Sequence, residues 1–472
     1  MRDSTSVLKT LSSRRWLAAL VVSSVLFVLG ITSTSLWDSE LTHCVSHSLA
    51  GSMPHAAVYS STQNVDAAKQ KPSSKFDTAT LLLKGTASPS FRENLRPDVK
   101  YITSWPYEGF TNQMIAYMNL VYLGLITERV PIIPRFTSSR HTTSDTPDLD
   151  FGEVFDIPRL QEAINLPILQ WSQVKDPDSQ FVDDLGCWNT QNSIFYSSDR
   201  NFHPPGSLKL DVSYTTAPEW IRYPTELQHP TFPHALLWAL ASLAFNDSRT
   251  WTPREPDISP THHVALPPDD HLLCYDLLYY AGAHEIFEYN YDMSPVWRFV
   301  GQHMHWTPKI QKIAESYTRE TLGIAGHAPI SPYISVHARR TDFEIWCNGV
   351  TTKDCYVELS AIARRVEDVK AELLARKGIQ VDQVIITSDE KDPEWWDAVG
   401  ELGWRQPNHS KTVELYGPWY PPLIDKAIQS GSLGFVGTDR STFSSLSLRR
   451  VRSWNDGAAR MVLWGTRGAD DH

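Results

Sequence analysis

The sequence predicts an α/β fold of two Rossmann-like domains facing across a cleft, preceded by a single transmembrane helix and a stem. Three observations carry this. The run "WLAALVVSSVLFVLGITSTSLW", residues 16–37, contains no charge. Strand and helix patterns alternate after Val99 and again after Pro329. In both places polar groups gather where strands end, and ligands of open parallel sheets bind beyond those carboxyl ends.

At 1.5 Å rise per residue, 16–37 is long enough for a hydrocarbon core of roughly 30 Å. Arg2, Lys9, Arg14 and Arg15 precede it, and Asp38 and Glu40 follow. The positive-inside rule puts 1–15 in the cytosol and the body across the membrane. The run is long for a signal peptide and lacks a nearby A-x-A site, which favours an anchor. Residues 38–97 are rich in Ser, Ala, Thr and Gln with little periodicity, the composition of a stem. The layout predicts a single-pass type II protein of the Golgi or ER membrane with a lumenal body. The sequons "NDS" at Asn246 and "NHS" at Asn408 suit a lumenal body.

The 472 residues are 41% hydrophobic, enough for a large core in two or three units. A net charge of -11 argues against a nucleic-acid partner. An anionic ligand then needs local arginines and helix amino termini. The 5 cysteines show no zinc spacing. Two disulfides plus one odd thiol, or ordinary buried thiols, are equally open; Cys347 and Cys355 are close enough to pair.

The first domain, 98–315, opens with the strand "VKYITS", the helix "NQMIAYMNLVYLGLITER" and the apolar run "VPIIPRF", a βαβ unit. Residues 137–306 are rich in Pro, Asp and aromatics and resist assignment, except "TFPHALLWALASLAF", which predicts a buried helix. The second domain, 316–472, reads strand ("ISPYISVHARR"), helix ending at Gly378, strand ("VDQVIITSDE"), short helix ("DPEWWDAVGELG"), then strand, tight turn and helix in "GSLGFVGTDRSTFSSLSLRRVR".

Four groups fall at strand ends: "PYEGFTNQ", "HARRTDF", "TSDE" and "GTDRSTFS". Arg339 can grip a phosphate with paired donors, and His337 faces the same side of its strand. Arg340 faces the other side and is expected to pair with Asp342 or a core carboxylate. Ser441 or Thr442 can cap a helix whose amino terminus suits an anion, and Phe443 can meet a base or the core. Asp389 can accept from a ribose hydroxyl or a guanine N–H pair, or cap the helix before "DPEWW". "DLD" at 148–150 and "DPD" at 176–178 lie in loops away from these ends, so no metal is expected.

"GFTNQ", "HARRTD" and "FVGTDRSTFS", in this order, resemble the GDP-fucose-dependent fucosyltransferases. The resemblance spans roughly 98–456 and extends to fungal O-fucosyltransferase-like proteins. "HARRTD" is close to the form in glycan α1,2- and α1,6-fucosyltransferases, whereas "EGF" with its nearby asparagine is closer to the protein O-fucosyltransferases. Thr111 stands where the strict motif has glycine. The resemblance implies an inverting, metal-independent transferase of GT-B type, with GDP-fucose held mainly by the carboxyl half and no cofactor. It assigns Arg339 to the β-phosphate, His337 and Asp389 to the nucleoside, Ser441, Thr442 and Phe443 to a phosphate- and base-cradling segment, and Gly109, Phe110 and Asn112 to a loop over the donor. Glu108 matches a catalytic base in one branch and Asn112 serves in another; both are present. The expected acceptor is a protein Ser/Thr hydroxyl. The alternatives are a glycan acceptor and a non-catalytic sugar-nucleotide-binding protein.

Overall fold

The computed structural model describes residues 81–471 except 107, 139–145, 197–202, 230 and 251–253. The expected tail, the span 16–37 and Cys44 lie outside the described residues. Among the described residues no helix is long and apolar enough to cross a membrane.

The first sheet is all parallel, in the order β3-β2-β1-β7-β4-β5. Its strands are β1 (Tyr101–Ser104), β2 (Val130–Ile133), β3 (Leu169–Gln170), β4 (Asp183–Asn189), β5 (Leu210–Thr216) and β7 (Leu272–Tyr275). A two-residue pair, β6 (Ala235–Leu236) and β8 (Ala281–Gly282), stands apart. The second sheet, β10-β9-β11-β12, is also parallel. It comprises β9 (Tyr333–Ala338), β10 (Gln383–Ser388), β11 (Gly434–Thr438) and β12 (Ala458–Val462). The central strands are buried along their length, as their apolar runs require in a sheet covered on both faces.

Six helices matter for the site: α1 (Phe110–Thr127), α2 (Pro308–Leu322), α3 (Leu359–Lys377), α4 (Pro393–Glu401), α5 (Tyr420–Gly431) and α6 (Thr442–Asn455). Helix α1 is apolar nearly all round and buried on nearly all sides. It stops at Glu128, which adopts a left-handed conformation at φ 55. Gly378 ends α3 in the same conformation, as its position in the sequence predicts.

The two sheets separate as expected, but the halves are not independent. One apolar cluster runs from Ile102 and Met114 through Trp297 and Trp306 to Ile424 and Leu446. The expected boundary at 315/316 falls inside α2. The described residues belong to one compact unit. Helix α6 is stitched to the amino half: Trp297 Nε1 donates to Ser453 Oγ at 3.0 Å, Trp454 Nε1 to Gln302 O at 2.7 Å, and Ser445 Oγ to Asn290 Oδ1 at 2.7 Å.

Two expectations are corrected. The stem does not reach residue 97, because Leu83, Phe91 and Leu95 are buried against Trp171 and β1. Ser90 Oγ and Phe91 N donate to Asp183, which also receives Lys175 Nζ at 2.5 Å inside the core. Polar spacing hid a short helix, Phe91–Asn94, whose one apolar residue, Phe91, is fully buried. The segment "TFPHALLWALASLAF" is not one buried helix: β6 leads into a helix of only Leu237–Ser242, with Trp238 and Phe245 exposed. Its apolar residues serve two elements that a periodicity count merges.

Two disulfides form, Cys347–Cys355 and Cys187–Cys274, the latter across adjacent strands β4 and β7. Asn246 and Asn408 are both exposed.

Candidate active site at the meeting of two helix amino termini

On the amino side, β1 runs into Trp105, whose Nε1 donates to Tyr214 Oη at 3.1 Å. The chain then turns through Glu108, which sits at φ 62. Positive φ is uncommon for glutamate and costs on the order of 1 kcal/mol. The turn is held by buried Gln113. Its Nε2 donates to Glu108 O at 2.8 Å and to Thr137 O at 2.9 Å, and its Oε1 accepts from Thr137 N at 3.0 Å. Gly109, extended at φ -67 and ψ 164, is the N-cap of α1. Such strain recurs at functional turns. Glu108 lies close enough to Tyr279 to act on it: burial, above all, pushes the Tyr279 phenol up, and Tyr289 and Glu108 add to the shift. The ring of Phe110 turns inward against Phe136 at 5.0 Å and Trp419 at 6.2 Å.

On the carboxyl side, three strand ends knit into one frame. Thr438 Oγ1, at the end of β11, donates to His337 O at 3.1 Å and accepts from Arg339 N at 2.9 Å. Thr438 N donates to Ser444 Oγ at 3.0 Å, and that hydroxyl also bonds His337 Nδ1 at 2.8 Å. Asp389, at the end of β10, accepts from Arg340 N at 2.8 Å and Thr341 Oγ1 at 2.7 Å. The Arg339 guanidinium lies between two carboxylates: it donates to Asp342, and its Nε is 3.7 Å from Asp389 Oδ2. Its side chain is 17% exposed, held in one orientation yet open to a ligand.

His337 stacks near Phe443, with ring centroids 4.7 Å apart. Burial, helped by the positive charges of Arg339 and Lys426, pushes its pKa well below the imidazole norm, so it is neutral at physiological pH. Ser441 is the N-cap of α6 and accepts from Ser444 N at 3.4 Å.

The two sides meet at one bond. Thr442 Oγ1, in the first turn of α6, donates to Asn112 Oδ1, in the first turn of α1, at 2.8 Å. Two helix amino termini therefore converge, with their free N–H groups and positive dipole ends, beside Arg339. Helix amino termini beside an arginine have the chemistry to receive an anion, which a chain of net charge -11 needs local groups to do.

Sequence reasoning named most of this frame: Glu108, Gly109, Asn112, His337, Arg339, Asp389, Ser441, Thr442 and Phe443 all lie along it. Phe110 lies beside it with its ring in the core. Two open alternatives are narrowed. Arg340 takes a largely buried carboxylate, Glu390, rather than Asp342, and lies over Tyr356 at 4.9 Å and Trp395 at 5.2 Å; Asp342 pairs with Arg339. Asp389 is not the cap of α4; Asp392 is, accepting from Glu394 N at 3.0 Å.

Sequence reasoning missed Lys426. It is fully buried on α5, donates to Phe443 O, and sits 4.3 Å from the centroid of that ring. Its signal was available: a lysine at a core position of "LIDKAI", bracketed by Leu423, Ile424, Ala427 and Ile428. Thr438 and Ser444 were also passed over, since short hydroxyl residues in a cap-rich turn carry no distinguishing pattern.

The acidic loops are engaged locally. Asp150 Oδ1 accepts from Arg135 Nε at 2.9 Å, and Asp176 Oδ1 from Asp178 N at 2.9 Å. A group with metal-ligand chemistry, Asp184, Asp211 and His262, stands at the amino ends of β4 and β5, on the sheet edge opposite the site. A cavity of about 760 Å³ lined by His305, Trp306, Tyr333 and Trp454 likewise opens at the amino ends of β9 and α2, away from this frame.

A family model described as GDP-fucose protein O-fucosyltransferase matches residues 101–453. No curated protein matches significantly. Among solved structures, the chain is similar to POFUT1 in complex with GDP-fucose, at 13% identity, covering 78% of this chain and 99% of that one, with TM-score 0.48. It is similar to the NodZ alpha-1,6-fucosyltransferase soaked with GDP-fucose, at 13% identity, 75% and 93% coverage and TM-score 0.37. It is also similar to the fucosyltransferase NodZ from Bradyrhizobium, at 12% identity, 74% and 92% coverage and TM-score 0.34.

Proposed function

Because the chain belongs to the GDP-fucose protein O-fucosyltransferase family, and so is a GDP-fucose-dependent glycosyltransferase, we propose that it is an inverting, metal-independent enzyme acting on a protein Ser/Thr hydroxyl. The observation that carries this reading is the convergence of the α1 and α6 amino termini at Asn112 and Thr442 beside Arg339.

The roles follow from where charge moves. The acceptor oxygen attacks the sugar's anomeric carbon from the face opposite the diphosphate. The bond from that carbon to the diphosphate oxygen breaks, and GDP leaves with the electron pair. Charge therefore grows on the diphosphate, where Arg339 and the two helix termini are fixed before the reaction begins. Preorganised donors of this kind stabilise a transition state without reorganisation. The hydroxyl proton goes to the Glu108 carboxylate, and Asn112 orients the donor from the amino side. Neutral His337 and the Phe443 face hold the nucleoside with Asp389, and Gly109 lets the backbone approach. With three fixed donors at the diphosphate, this reading needs no divalent ion.

The body works in the secretory lumen, tethered by 16–37 in an ER or Golgi membrane. Two formed disulfides and two exposed sequon asparagines support an oxidising, glycosylating compartment. "HARRTD" favours a glycan acceptor as the second reading.

The test uses residues 81–472 with GDP-fucose and excess chelator, following GDP release and fucose transfer to intact proteins and to free glycans. Glu108→Gln is expected to keep GDP affinity and lose about 10²- to 10⁴-fold in transfer, the range for a general base. Transfer by Glu108→Gln at the wild-type rate removes Glu108 from the mechanism. Activity that requires a metal refutes the metal-free site, and fucose found only on glycans refutes the protein acceptor.

A further inference from the structure

Lys426 is a buried basic residue in contact with Phe443 that the mechanism above does not use. Its side chain is fully enclosed by α5, α6 and β9. Among the described residues the terminal nitrogen has a single hydrogen-bond acceptor, Phe443 O, and it stands over the Phe443 ring. None of the ion pairs among the described residues includes it. A lysine held this way lacks a counter-charge, and a lone buried charge is costly.

Its surroundings are positive. Arg450 on α6 is also fully buried; its Nε and Nη1 have no partner, and it is caged by Trp306 at 4.2 Å and Trp454 at 5.1 Å. His337 of β9 and Lys426 both contact the Phe443 ring, with centroid distances of 4.7 Å and 4.3 Å. On α2, packed against α5, Glu315 is paired with Arg319, and Tyr317 bonds Thr412 Oγ1 at 2.6 Å. On its own helix, Asp425 is paired with His409 at 2.8 Å. Among the described residues no carboxylate is paired with Lys426, whose amine bonds the carbonyl of Phe443 in the first turn of α6.

We propose that Lys426 is a positioning residue of the donor site whose missing counter-charge is the diphosphate of the bound nucleotide, so that GDP binding draws one proton onto its amine. This deepens the donor-site reading and rests on it. In the free protein the fully buried amine has no carboxylate partner among the described residues, which favours its neutral form; burial first and the Arg450 charge second push its pKa well below the lysine norm. An anion on the α6 terminus raises it again, as opposite charge favours the charged form. The charged ammonium then tightens its bond to Phe443 O and fixes the turn that carries Thr442 and the base-stacking ring.

Calorimetry of GDP binding in buffers of different ionisation enthalpy, near about pH 8 where a phosphate is fully ionised, reads the proton directly. Wild type is expected to take up close to one proton, Lys426→Met close to none, and His337→Gln as many as wild type. Wild-type GDP affinity is expected to fall as pH rises from about 7.5 to about 8.5, up to roughly tenfold for one coupled proton. That second measurement needs no variant to fold. Uptake that persists in Lys426→Met, or a pH-independent affinity with no uptake in wild type, overturns the proposal while leaving the donor site intact. Failure of wild type to bind GDP at all overturns both.

Discussion

Replacing Arg339 by alanine removes the cation that the carboxyl-side frame is built to present. Two consequences add. A charge-assisted hydrogen bond to phosphate contributes about 1.5–3 kcal/mol. The substitution also removes the positive charge beside Asp342 and Asp389, while Asp389 keeps its bonds from Arg340 N and Thr341 Oγ1. At roughly 7 Å and an effective dielectric of about 20, each carboxylate then repels one diphosphate charge by about 2 kcal/mol. The site is open to solvent, so we count no more than half of that repulsion. The net loss is about 1.5–5 kcal/mol, with a middle value of about 3 that corresponds to a rise of roughly two hundredfold in the Kd for GDP. Arg339→Lys keeps the charge and loses the paired fork, and should weaken binding by about tenfold. Calorimetric titration with GDP, beside thermal melts to confirm folding, measures both. A folded Arg339→Ala protein that binds GDP within about threefold of wild type would show that Arg339 does not face the diphosphate, and the reasoning would fail.

Two further outcomes follow from the same geometry. Asn112→Ala and Thr442→Val should show a coupling of about 1 kcal/mol in a double-mutant cycle of unfolding free energy, because they share the one bond joining the two helix termini; additivity would mean the bond joins nothing. Phe91→Ala should cost about 3–5 kcal/mol in stability, since the ring is fully buried and edge-on to Trp171 at 5.7 Å. A chain starting at 98 should accordingly fail to fold where one starting at 81 succeeds, as judged by soluble yield and melting.

The legible parts of this protein were those that a local rule determines. Strand β1, helix α1, the β11–α6 turn and the glycine stop of α3 each declare themselves by periodicity or by a cap within a few residues. The site was legible because every strand of a parallel sheet delivers its carboxyl end to the same edge, so four distant polar groups could be placed together before any contact was known. Partner choice was not legible. Whether Arg339 or Arg340 takes Asp342 depends on how the chain leaves β9, and whether Asp389 or Asp392 caps α4 depends on one residue of turn. Cys187 and Cys274 stand 87 residues apart and meet only because β4 and β7 are neighbours.

The sequence by itself determined the α/β class, the order of the strand-end motifs and their resemblance to a fucosyltransferase family, since each rests on short-range chemistry. Tertiary structure decided where the body begins, because Phe91 is a core residue only once Trp171 covers it. It decided that the two sheets share a core. It also set Asn112 against Thr442 and buried Lys426 behind Phe443. These contacts join elements far apart in the chain, and sequence pattern records the burial of a side chain without recording its partner.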